Sequence, residues 1–129
     1  MKKVVLIISS IALLASCNKK EEKKTSLYPE TKKTEAQLQL ELGQEIFDGK
    51  GMCYSCHKPD QKIIGPSIKE IARIYKEEGA SIVEFLKEKG DPIVDPTQYQ
   101  LMKANFAITK NLPEEELKAL EAYILSHSK

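Results

Sequence analysis

Cys53-Tyr54-Ser55-Cys56-His57 sets two thiols three residues apart, with an imidazole directly after the second. That spacing is the attachment pattern for c-type haem. Two thiols on one side of a short turn can add to the two vinyl groups of a porphyrin and form thioether bonds. The histidine then lies beneath the ring, where a nitrogen can bind iron. A pentapeptide can also arise by chance. The rest of the chain must therefore supply a second axial ligand, an acceptor for the histidine's other nitrogen, and an apolar wrapping.

The acceptor has a candidate in Gly65-Pro66. Pro66 lacks an N–H, but its carbonyl is free to accept from an imidazole, which orients the ring and raises its basicity. The same dipeptide serves equally well as an ordinary turn before a helix. The second axial ligand has one methionine placed for it. Met1 leaves with a leader, and Met52 is too close to His57 in sequence to reach the opposite haem face. Met102 remains, although a methionine in a loop is more often a gap-filler of the core.

The elements around these residues read as helices. Thr34 to about Gly49 puts Ala36, Leu40, Gly43 and Phe47 on one face, with Leu38, Leu42 and Ile46 beside it. Gly43 costs such a helix ~1 kcal/mol relative to alanine. A glycine there is either incidental or marks a close approach by another backbone. Ser67-Ile68-Lys69-Glu70 and Ser81-Ile82-Val83-Glu84 read as capping boxes, opening helices that Gly79 and Gly90 end. Pro92 and Pro96 make Asp91 to Lys110 irregular, with Met102 in that loop. Asn111 and Glu114 fit a capping box for a last helix to Ser126, with Pro113 in its first turn and a stripe of Leu117, Leu120 and Ile124. No segment alternates with strand period, so the domain is expected to be all-α.

The chain has 129 residues and a net charge of +1, enough for one domain and against a nucleic-acid binder. Residues 1–16 read as a signal peptide: Lys2 and Lys3, then an apolar stretch well short of the ~20 residues of a membrane span. Leu14-Ala15-Ser16-Cys17 resembles the lipobox of bacterial lipoproteins, which implies a lipid on Cys17 and accounts for the odd cysteine. The lipidated Cys17 and a charged, apolar-poor tether then make up residues 17–33. The remaining 34–129 carries 12 Lys and Arg against 16 Asp and Glu, a balance of −4.

Taken together, these residues resemble the class I cytochrome c family over about Thr34 to His127. The parts come in family order: Gly43 and Phe47, the Cys53–His57 pentapeptide, Gly65-Pro66, middle helices, Met102, and Ala119-Leu120-Glu121-Ala122-Tyr123-Ile124 in the last helix. The resemblance implies an orthogonal helical fold around one haem c, attached through Cys53 and Cys56. It implies His57 and Met102 as iron ligands, Pro66 as the carbonyl partner of His57, and packing of Gly43 and Phe47 on Tyr123 and Leu120. Lys103 follows Met102 where many members have proline.

Three functions compete. A closed His/Met haem makes an electron carrier, monomeric, lipid-tethered on the periplasmic side of a bacterial membrane and serving redox partners of a respiratory chain. A displaceable sixth ligand would instead make a haem enzyme or gas sensor, reducing peroxide or binding nitric oxide, but the distal stretch offers no catalytic His or Arg. A zinc or thiol-redox protein built on Cys53, Cys56, His57 and His127 ranks last, because adjacent Cys and His seldom bind one ion and no βαβ context is present.

Overall fold

The structure, a computed structural model, describes residues 32–128; the expected signal peptide, Cys17 and most of the expected tether fall outside that range. Within it, five α-helices carry the chain: α1 (Glu35–Asp48), α2 (Ile68–Glu78), α3 (Ile82–Leu86), α4 (Tyr99–Thr109) and α5 (Glu114–Leu125). Two short 3-10 turns, Cys53–Ser55 and Pro96–Gln98, precede the middle and later helices. The described residues contain no strand, only one isolated bridge pairing His57 with Lys62. The all-α expectation is met.

α1 starts where Thr34 accepts from the Gln37 N–H and Gln37 Oε1 accepts from the Thr34 N–H at 2.8 Å, a reciprocal cap. Its first two turns are exposed throughout, and Leu38 and Leu40 face solvent, contrary to the expected stripe. Burial is confined to Gly43, Ile46 and Phe47, because α5 crosses α1 there. A Cβ on Gly43 would lie 2.1 Å from the Ala119 carbonyl oxygen and 2.6 Å from Tyr123 Cβ. The close approach is real, and the backbone it admits is that of α5. Phe47 packs on Tyr123 with ring centroids 5.5 Å apart.

α2 opens on Ser67, whose hydroxyl accepts from the Glu70 N–H at 3.1 Å. Ser81 caps α3 in the same way, accepting from the Glu84 N–H at 3.3 Å, and a second cap comes from far along the chain. Glu121 Oε1, on α5, accepts from the Ile82 N–H at 2.7 Å, the Val83 N–H at 3.2 Å and the Ser81 hydroxyl at 3.1 Å. A carboxylate at the N-terminus of a helix meets both unpaired N–H groups and the positive end of the dipole. α3 is one short stretch, ending at Leu86 rather than running to Gly90.

The segment expected to be irregular is not. Pro96 begins a 3-10 turn that runs straight into α4, so Met102 lies on a helix rather than in a loop. The prolines stand ahead of α4, where a fixed φ suits a helix start, and no Pro or Gly occurs from Thr97 to Thr109. Asn111 does not cap α5: its amide donates to the Ala107 carbonyl at 2.7 Å and closes α4 instead. Pro113 takes the cap position of α5 with no side-chain cap, and the helix ends at Leu125 with Ser126 as its C-cap. The core joins Ile46, Phe47, Ile68, Ala72, Leu117 and Leu120 where α1, α2 and α5 meet.

Candidate functional site

The end of α1 folds directly into the pentapeptide. The Gly51 N–H reaches the Ile46 carbonyl at 2.9 Å, and Met52 turns the chain with φ 53, a left-handed conformation uncommon for a side chain of its size. The Cys56 and His57 N–H groups both close on the Cys53 carbonyl, at 3.1 and 3.0 Å. That turn puts Cys53, Cys56 and His57 on the lining of one cavity. Cys53 is buried, and burial pushes its thiol up to about 11, so the sulfur is neutral.

The His57 ring is held from two sides. Nδ1 lies 2.7 Å from the Pro66 carbonyl oxygen, which can only accept, so Nδ1 carries the proton and Nε2 keeps its lone pair. Burial lowers the ring's pKa and the Pro66 carbonyl partly offsets it, which favours the neutral imidazole that a metal requires. The ring also rests against Gly65, where a Cβ would come within 2.5 Å of Cε1. The glycine of the Gly-Pro pair is therefore fixed by the histidine. Its sequence signal was a glycine beside an acceptor, but nothing local named the atom pressing on it. The Gly65 N–H donates to the Cys56 carbonyl at 2.8 Å, closing the loop back onto the pentapeptide.

The cavity measures about 340 Å³, and Pro66 and Met102 line it together with Cys53, Cys56 and His57. Apolar side chains make up most of the wall, among them Ile68, Ile82, Phe85 and Ile93. Phe85 anchors an aromatic cluster: Phe106 at 5.2 Å, and Tyr75 and Tyr99 at 6.3 Å each. The side chains of this wall come largely from α2, α3 and the stretch after it, whose apolar positions in sequence fit core or haem contact alike. Two thiols, an imidazole with a free Nε2 and a thioether, set in an apolar cavity, form a donor set that fits an iron porphyrin. His127 packs edge-on against Tyr123, ring centroids 4.8 Å apart, and does not line the cavity.

A family model described as Cytochrome c matches residues 40–128. The chain belongs to the cytochrome c family. It is a class I c-type cytochrome, its group is covalently attached haem c with iron, and its role is haem-based electron transfer. The family is in general one of electron carriers rather than enzymes. No curated protein gives a significant match to the chain.

One polar feature of this cytochrome c at the cavity was not foreseen. Asp95, which lines the cavity, binds Lys62 Nζ at 2.7 Å and accepts from the Thr97 hydroxyl at 2.5 Å. The Lys62 hydrogen bond comes first among the causes that hold the Asp95 carboxyl down to about 2. A folded pKa below the ordinary 3.8 means the pair stabilises the fold above that value and loses its effect as pH falls through about 2. In thermal unfolding, wild type should therefore exceed Asp95→Asn near pH 6, and the gap should close toward pH ~2. A constant gap across that range would show that the carboxylate charge contributes nothing.

Proposed function

We propose that this cytochrome c is a lipid-tethered electron carrier facing the periplasm. Cys53 and Cys56 hold the haem by thioether bonds, His57 Nε2 and the Met102 sulfur bind its iron, and the lipid sits on Cys17. When bound, the haem supplies an iron that takes up and releases one electron at a time without binding substrate, at a potential that methionine ligation raises. The observation that carries this is the His57–Pro66 hydrogen bond of 2.7 Å at a cavity that Met102 also lines. Pro66 holds the proton on Nδ1 and so keeps Nε2 free for the metal. The apolar wall excludes water from the ligands.

Met52, Ile64 and Leu101 line the cavity yet are half exposed, giving an apolar rim where redox proteins of a respiratory chain can approach. The tether of residues 17–33 would keep the domain at high effective concentration near such partners on the membrane.

Optical spectra of the purified protein, before and after denaturation, test the reading. Haem that stays with the denatured chain, and a reduced spectrum unmoved by carbon monoxide, are expected. Haem that washes out would overturn covalent attachment. Ready binding of carbon monoxide would point instead to the haem enzyme or gas sensor. Cys17→Ala should move the protein from the membrane fraction to the soluble fraction; retention on membranes would overturn the lipid anchor.

A further inference from the structure

α4 is the helix least tied to its neighbours. α1 packs closely on α5, and α2 and α3 lie against α5, whereas α4 makes no comparable approach to another α-helix. Its residues Tyr99, Met102 and Asn105 face the cavity instead. The C-terminal end is pinned: the buried Thr109 hydroxyl donates to the Leu86 carbonyl at 2.8 Å, and Phe106 packs on Phe85. Toward the N-terminal end the polar ties reduce to one. Among the described residues, Lys62–Asp95 is the only hydrogen bond or ion pair joining 91–108 to any part of the chain before Asp91.

The two ends of that ion pair belong to the two segments that carry the proposed iron ligands. Lys62 is bridged through its backbone to His57. Asp95 precedes Pro96, from which the helical run continues unbroken to Met102. Asp95 is 16% exposed and its second oxygen is held by Thr97, so the acceptor is fixed in place. The Lys62 side chain is 55% exposed and is the half open to salt and solvent.

We propose that Lys62 and Asp95 are positioning residues, a strap that holds the N-terminal end of α4 over the cavity and sets how readily Met102 yields to an external ligand. The inference rests on the proposed ligation by His57 and Met102. With the strap closed, the sixth position is shut and the domain can only exchange electrons. With it broken, α4 swings about its Thr109 pin and the position opens. The strap thus separates the carrier from the ligand-binding protein that the same sequence could have been.

The test uses the full-length oxidised holoprotein with imidazole as the incoming ligand. Lys62→Glu and Asp95→Lys should each speed imidazole binding about five- to tenfold, since reversal adds repulsion to the lost attraction of a largely exposed pair. The double variant Lys62→Glu/Asp95→Lys restores opposite charges and should return the rate to within about twofold of wild type. Amide hydrogen exchange in α4 should rise in the single variants and recover in the double one, while α1 and α5 stay protected. Single variants that bind imidazole like wild type, or a double variant that fails to recover, would overturn the strap. If wild type shows no sulfur-to-iron band, the Met102 ligation fails instead, and the exchange pattern in α4 still decides the strap.

Discussion

Gly43→Ala should lower the stability of the folded domain by ~2 kcal/mol or more, although alanine is the better helix former by ~1 kcal/mol. The sign is decided by the crossing of α1 and α5. The added Cβ would meet the Ala119 carbonyl oxygen at 2.1 Å and Tyr123 Cβ at 2.6 Å. Overpacking a core costs ~1–3 kcal/mol where side chains can shift. Here the obstacle is backbone, which has no rotamer to change, so α5 must move away from α1 as a unit. That movement would also part Phe47 from Tyr123 and loosen Leu117 and Leu120, which are fully buried. For a domain of this size the loss corresponds to a fall in Tm of roughly 8–16 °C. Thermal unfolding followed by circular dichroism reads it directly. Leu40→Ala, on the exposed part of the same helix, is the control and should change Tm little. A Gly43→Ala protein as stable as wild type would show that the crossing is slack.

Met102→Leu should remove the sulfur-to-iron charge-transfer band, lower the midpoint potential and let the reduced protein bind carbon monoxide. Axial ligands set haem potentials over ~0.8 V, and loss of a methionine should move this one down by on the order of 0.1 V. Leucine keeps the volume of a side chain that packs against the core, so a spectral change cannot be ascribed to an empty space. Met102→Ala should show the same spectrum with an added loss of stability, because it also leaves a cavity. Met52 and Lys103, the other methionine among the described residues and the adjacent amine, are placed elsewhere. Met52 is half exposed in the turn just before Cys53, and the Lys103 ammonium lies over the Tyr99 ring at 5.2 Å from its centroid. A Met102→Leu protein with an unchanged band and potential would show that another group binds the iron.

Much of the site was legible because its chemistry is local in sequence. The pentapeptide can be read from residue type and spacing, whereas Gly65-Pro66 and Met102 were candidates with ordinary structural alternatives; Cys53, Cys56, His57, Gly65, Pro66 and Met102 all line one cavity. The fold class was legible for the same reason: serines at Ser67 and Ser81, glycines after the helices and one-sided apolar spacing are patterns of three or four residues. Other local signals point two ways. Pro92 and Pro96 suggest an irregular 91–110, yet they stand ahead of a helix that nothing after them interrupts. Asn111 has the composition of a cap for α5 and closes α4 instead.

By itself the sequence determined the all-α class and the expectation of a covalently bound haem with named candidate ligands, while Gly43 could be read either as incidental or as a point of close approach. Only the tertiary structure decided that Gly43 is a close approach, and which backbone makes it. The Ala119 backbone against Gly43, the Glu121 carboxylate capping α3 from 40 residues away, and the Lys62–Asp95 pair spanning 33 residues all join segments far apart in the sequence. Short-range spacing fixes which face of a helix is apolar, but not the angle or depth at which two such faces meet. Those depend on the packing of every side chain between them, so the partners of Gly43, Glu121 and Lys62 exist only once the chain has folded.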